Sequence, residues 1–394
     1  MELIRKTNLV KNKKYSEYSQ NNVYLKLENL QVTGSLKVRA LAKLVEKLKK
    51  DKYQKVVVIS TGNTARSVAY LCEKYNLECL AYMPSTTSYS TIIEVQDYHA
   101  TVVLEGTNIV ETKTIVDQID HDETTYVIDL AKEMCCSLAY EELVKEILED
   151  LPSTDIILAP VGTGSLINGI ISYIKNNDLA IEVYAVEPYS HALLSKSIEH
   201  NKPSQIADSY SIAESINGKA ISELFFENIK NNITDVIRVS DEELIDCFLD
   251  VAEENKAIVE NAGLLSLVGT KYLTKKKKNV VCLLTGGNID ITTMATVLES
   301  GLINKGRIFS FKVMLSDKPG ELLEIAQIIA KNDGNVIGLN HNQLSAITRQ
   351  NKVELNVSVE SLGLHHKFKI VSELESAGYE IILIDDHLGC DFNG

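Results

Sequence analysis

One lysine, Lys37, sits among small and polar residues in the stretch LENLQVTGSLKVRA, residues 27 to 40, with Thr33, Gly34, Ser35 and Arg39 around it. A lysine amine attacks carbonyl carbon and acts as a base once deprotonated, so a sheltered lysine is a candidate for Schiff-base chemistry. Taken alone, the stretch reads more simply as a capped helix start, with Ser35 as N-cap and Lys37 in water. Three other stretches bear on that choice. STGNTARS from Ser60, PVGTGSLINGI from Pro160 and TGGNID from Thr285 each combine glycine with hydroxyl or amide side chains. In the second, Gly162, Thr163, Gly164 and Ser165 lead straight into a helical pattern, an arrangement whose consecutive amides and helix dipole suit a phosphate. No Gly-Lys-Ser/Thr follows, so it is not a P-loop. A lysine, a phosphate cradle and further strand-end loops together indicate a pyridoxal phosphate site.

The elements that must position these residues alternate along the first 300 residues. Apolar runs such as KVVVIST, ECLAYMP, TVVLEG, DIILAPVG, EVYAVEP and NVVCLLTGG are interleaved with amphipathic stretches such as ARSVAYLCEKYN and SLINGIISYIKNN. Continuous β-branched runs bounded by glycine and followed by helical periodicity predict buried parallel strands with crossover helices, an α/β architecture. The three glycine turns then fall at the carboxyl ends of strands, where open α/β sheets place their ligands. From about Arg307 the pattern becomes strand, helix, strand, strand, helix, strand, which predicts a separate ferredoxin-like unit. Residues 1–300 and 307–390 are thus the two expected domains, with LESGLINKG, about 298 to 306, as linker.

These motifs resemble those of the fold-type II pyridoxal-phosphate enzymes (tryptophan synthase beta-like), and most closely the threonine dehydratases, or threonine ammonia-lyases, that carry a C-terminal ACT domain. LKLENLQVTGSLKVRA is similar to the family's lysine motif, which implies that Lys37 bears the cofactor. STGNTARS resembles the loop whose asparagine, here Asn63, lies against the cofactor ring oxygen, while Ser60, Thr61, Gly62 and Thr64 hold the substrate carboxylate. PVGTGSLINGI resembles the phosphate loop and assigns Gly162, Thr163, Gly164 and Ser165 to the phosphate. LLTGGNID places Thr285 beside the pyridine nitrogen. AVEP and VSDEELIDCFLDVAEENKAIVENAG follow in family order, and SDKPGELLEIAQIIAKNDGNVIGLNH with LESAGYEIILI resembles an ACT domain.

The resemblance implies β-elimination: Lys37 as base at the α-carbon, and L-threonine or L-serine converted to a 2-oxo acid and ammonia. It also implies an amino-acid effector at the DKPGE loop, with Gly320 opening a helix, and a homo-oligomer, dimer or tetramer. Several positions depart from the pattern. IDLAKEMCCSLAYEELVKEI does not match the family segment that helps build the substrate side. The phosphate loop has GTGS for four glycines, Leu36 replaces phenylalanine, Ala40 replaces glycine, and ENAG replaces EPAG. Related chemistries share the fold: β- or γ-replacement, as in threonine synthase-like and cysteine synthase-like enzymes, and racemisation, for which Thr61 falls where racemases carry a hydroxyl. The racemase metal site would want an acid at Leu193, leaving Glu187 as its one obvious acidic ligand, and no metal is expected. A non-catalytic amino-acid sensor would have no need of Lys37.

Composition narrows the partners. Hydrophobic residues at 45% and charged residues at 24% fit a globular chain, and a net charge of −14 opposes nucleic-acid binding. The basic run KKKK at 275 to 278 reads as a solvated turn. No apolar run reaches the length of a membrane span, and MELIRKTNLVKNKK lacks a secretory h-region, so a cytoplasmic protein without membrane contact is expected. Seven scattered cysteines (Cys72, Cys79, Cys135, Cys136, Cys247, Cys282 and Cys390) show no CxxC pairing, and eight histidines show no metal-ligand spacing; His365-His366 reads as a helix start.

Overall fold

The computed structural model describes residues 3–204, 206, 210–216, 220–316, 318–342 and 352–384. Two compact units divide the chain, Met1–Ile291 and Thr292–Gly394.

The first unit holds two sheets. In the larger, the strands run in the order Leu9–Asn12, Asn22–Lys26, Asn279–Leu283, Ile156–Pro160, Glu182–Pro188 and Asp235–Val239. All neighbours pair parallel except the first two. The smaller sheet is wholly parallel, in the order Thr101–Leu104, Glu78–Met83, Lys55–Ile59 and Thr125–Val127. Central strands are apolar on both faces because helices cover both: every residue of Ile156–Pro160 is buried, as are Val56, Val57 and Val58. The helix Lys37–Lys50 buries Val38, Leu41, Leu44, Val45 and Leu48 at the three- and four-residue spacing of one helical face. It closes on Lys47, Lys49 and Lys50, cations placed at the negative end of its dipole.

Three neighbouring strands of the larger sheet, Asn22–Lys26, Asn279–Leu283 and Ile156–Pro160, end side by side. Their following turns therefore meet. Backbone bonds fasten two of them, from the amide of Leu36 to the carbonyl of Thr285 at 2.9 Å and from Gly287 to Gly34 at 2.9 Å. Gly34 has φ +73, and a Cβ there would stand 2.1 Å from Oδ1 of Asn288, so only glycine fits this crossing.

Sequence periodicity misses three strands: Leu9–Asn12, the three-residue Thr125–Val127, and Asp235–Val239. The stretch expected as a linker is mostly helix, the end of Ile291–Asn304, with Ser300 and Gly301 buried on its inner side. The division between units precedes this helix.

The second unit follows the expected order: strand Ile308–Ser316, helix Glu321–Lys331, strand Asn335–Asn342, strand Lys352–Glu360, helix Leu364–Ser376 and strand Ile381–Ile384. Its antiparallel sheet places the first strand between the third and fourth, with the second at the edge. Phe309, Phe311, Val313, Leu355, Val357, Ile325 and Ile370 form its core. Asp317 of the DKPGE loop, the end of the expected domain from residue 385, and Cys390 lie outside the described residues. Among the described residues no helix is long and apolar enough to cross a membrane.

Candidate active site

A cleft opens where the strand ends meet, lined by Lys37, Asn63, Gly162, Thr163, Gly164, Ser165, Glu260 and Thr285 among others. The structure thus brings together Lys37, Asn63, the glycine turn and Thr285. Ser60, Thr61, Gly62 and Thr64 are not in the described lining; they flank Asn63 on the same loop, with Thr61 exposed.

Lys37 is the first residue of its helix, and the residue before it, Leu36, offers no side-chain cap. The Ser35 cap of the simpler alternative does not form. Ser35 bridges to Gly286 instead, is 1% exposed, and its hydroxyl lines the cleft without a protein partner among the described residues. Burial holds the Lys37 amine below the ordinary lysine range; the Glu260 carboxylate and then Cys136 act against that. Burial and the positive end of the helix dipole both favour the neutral amine, the form that is nucleophilic and basic.

The turn Gly162–Ser165 joins the strand Ile156–Pro160 to the helix Ser165–Asn176, which starts without a side-chain cap. Gly164 has φ +91, and a Cβ there would meet Cδ1 of Ile229 at 2.7 Å. Among the described residues, the amides of 162 to 165 donate to no protein oxygen. Uncapped first-turn amides beside the dipole's positive end are suited to an anion. An orphaned buried hydroxyl at Ser35, a half-buried amine at Lys37 and this turn together fit a phosphorylated aldehyde.

Asn63 opens the helix Asn63–Tyr75. Its Nδ2 donates to both carboxylate oxygens of Glu260, and its Oδ1 accepts from Nδ2 of Asn288 at 2.6 Å. Sequence reasoning missed Glu260, Asn288 and Ser35 as members of the site. Glu260 stands at the head of the helix Asn261–Gly269, and nothing local marks it as different from any helix-leading acid. Glu187 is wholly buried, and its oxygens accept the amides of Leu194 at 2.7 Å and Ser195 at 3.0 Å. Burial pushes its carboxyl above the usual range, against the pull of those bonds and of Arg238. Its oxygens are thus engaged in capping a helix. Among the described residues no group of three or more His, Cys, Asp or Glu is placed to hold a metal.

The family described as pyridoxal-phosphate dependent enzyme matches residues 1–286. An L-threonine ammonia-lyase of Geobacter sulfurreducens is 29% identical over 379 residues, 95% of this chain and 94% of that protein. The solved structure of the processed form of threonine deaminase isoform 2 from Solanum lycopersicum superposes with a TM-score of 0.71 at 23% identity, over 75% of this chain and 83% of that one. A maize serine racemase superposes with a TM-score of 0.70 at 20% identity, over 76% and 94%. Likeness at that level establishes a shared fold.

Proposed function

The chain belongs to the family of pyridoxal-phosphate dependent enzymes, and from that premise we propose that it is an ammonia-lyase converting L-threonine or L-serine to a 2-oxo acid and ammonia. One observation carries the reading: Lys37, half-buried and with its amine held below the ordinary lysine range, lines the same cleft as the turn Gly162–Ser165. The relative named L-threonine ammonia-lyase, matched over nearly its whole length, supports the choice of substrate.

When bound, pyridoxal phosphate supplies an electron sink for charge released at the α-carbon of an amino acid. Lys37 would carry the cofactor, and its neutral Nζ, when free, would take the proton from the substrate α-carbon. The amides of Gly162, Thr163, Gly164 and Ser165 hold the phosphate, with the hydroxyls of Thr163 and Ser165 as further donors. Thr285, which lines the same cleft, would offer a bound ring a neutral hydroxyl in place of a charged partner. Asn63, in the same lining, would offer its side-chain amide to the bound cofactor. Ser60, Thr61, Gly62 and Thr64 receive the substrate carboxylate at the head of the helix Asn63–Tyr75.

The second unit we assign to regulation, as an ACT domain. Its strand order and the turn at Gly320, φ +106, ahead of the helix Glu321–Lys331 support that reading. An amino acid bound at this turn would act by favouring one conformation over another.

The test is 2-oxo acid release by the cofactor-loaded protein given L-threonine or L-serine alone, with Lys37→Ala as control. Steady, Lys37-dependent release is expected. Release only after a second substrate is added would make it a replacement enzyme, and conversion between L and D forms without release would make it a racemase.

A further inference from the structure

We infer that Ser137 is a positioning residue for the cofactor phosphate, fastening the turn Gly162–Ser165 from behind through Asn168. This rests on the reading of that turn as the phosphate site.

Ser137 lies in the segment that departs from the dehydratase pattern, and it is fully buried. Its Oγ donates to the carbonyl of Ser165 at 2.8 Å and accepts from Nδ2 of Asn168 at 2.8 Å. The amide of Asn168 is itself oriented, because its Oδ1 accepts from Nδ2 of Asn228 at 2.8 Å. With Asn168 presenting its donor end, the Ser137 hydrogen is directed to the Ser165 carbonyl. The contact is close along its length: a Cβ at Gly169 would stand 2.2 Å from the Ser137 carbonyl oxygen. A second brace holds the other side of Gly164. The amide of Ser222 donates to the carbonyl of Thr163 at 3.0 Å, and Ser222 Oγ donates to the carbonyl of Ala131, in the same divergent segment, at 2.5 Å.

Both braces grip carbonyls. The turn is therefore fixed by its acceptors while its amides stay available to an anion, which is the preorganisation that phosphate binding needs. A buried chain of this kind, with every donor and acceptor met, has one low-energy arrangement. The divergent segment thus serves the phosphate end of the cleft.

A structural role alone would weaken every ligand alike, whereas a brace on the phosphate turn weakens only ligands that carry a phosphate. The experiment compares pyridoxal 5'-phosphate with pyridoxal, measuring the affinity of each through the Lys37-dependent absorption band, in wild type, Ser137→Ala and Asn168→Ser. Ser137→Ala should lose about tenfold in affinity for the phosphorylated form, the order of one buried hydrogen bond, with pyridoxal unchanged. Asn168→Ser should move in the same direction. Equal losses for both ligands, or an unchanged ratio in both variants, would overturn the inference. A wild type without any Lys37-dependent band would instead overturn the underlying assignment of the site.

Discussion

Asn63 donates its side-chain amide to both carboxylate oxygens of Glu260, at 3.0 and 2.9 Å, across 197 residues of sequence. Both residues line the cleft that also holds Lys37, and the Glu260 carboxylate acts on the ionisation of the lysine amine. Lys37 stands below its ordinary value because burial disfavours the ammonium, and the Glu260 charge is the larger of the two forces pulling it back up. The other group acting on Lys37 is Cys136, whose thiol is itself pushed up by burial, while Glu260 also acts on Arg66, whose guanidinium is pushed down by burial. Removing the carboxylate charge therefore lowers the Lys37 value further and raises the neutral fraction at a given pH. In Glu260→Gln the rise in the rate of cofactor attachment with pH should move to lower pH. An unmoved limb, or one displaced to higher pH, would count against this account of the cleft.

Gly34 makes a sharper steric demand. Alanine there meets Oδ1 of Asn288 at 2.1 Å and is strained at φ +73. Gly34→Ala should lose about 1–3 kcal/mol of stability and disturb the bond from Asn288 to Asn63. Thermal unfolding and cofactor affinity measured on the same preparation check this. A variant with wild-type values for both would show that the crossing of the two turns is loose.

Beneath the Lys37 turn lies a buried ion network. Arg39 donates to Glu28 at 2.7 Å and to Glu146 at 2.8 Å, while Lys26 donates to Glu146 at 2.8 Å. Arg39→Met would leave Glu28 without its guanidinium partner in a site that water does not reach, at a cost of about 3–5 kcal/mol. Arg39→Lys keeps a charge but not the two-pronged geometry, and a smaller loss is expected. Denaturant unfolding of the full chain reports both; a loss under about 1 kcal/mol in Arg39→Met would mean that the network contributes little.

The legible part of the fold was the part buried on both sides. Runs such as Val56–Val58 and Ile156–Ala159 declare themselves because both faces are apolar. Leu9–Asn12 and Asp235–Val239 lie at sheet edges with exposed polar residues, and Thr125–Val127 is too short to show a period. Gly301 inside LESGLIN reads as a linker but is a buried residue of the helix Ile291–Asn304. Lys37, Asn63, the glycine turn and Thr285 were readable because each follows a recognisable strand. Glu260 and Ser137 were not, since their partners are distant in sequence and only the fold brings them together.

The most direct test of the central claim is borohydride reduction of the cofactor-loaded protein, followed by proteolysis and mass measurement of the peptides. The pyridoxyl adduct should be found on Lys37, and Lys37→Ala should carry none. An adduct on another lysine, with Lys37 left bare, would contradict the assignment of the site.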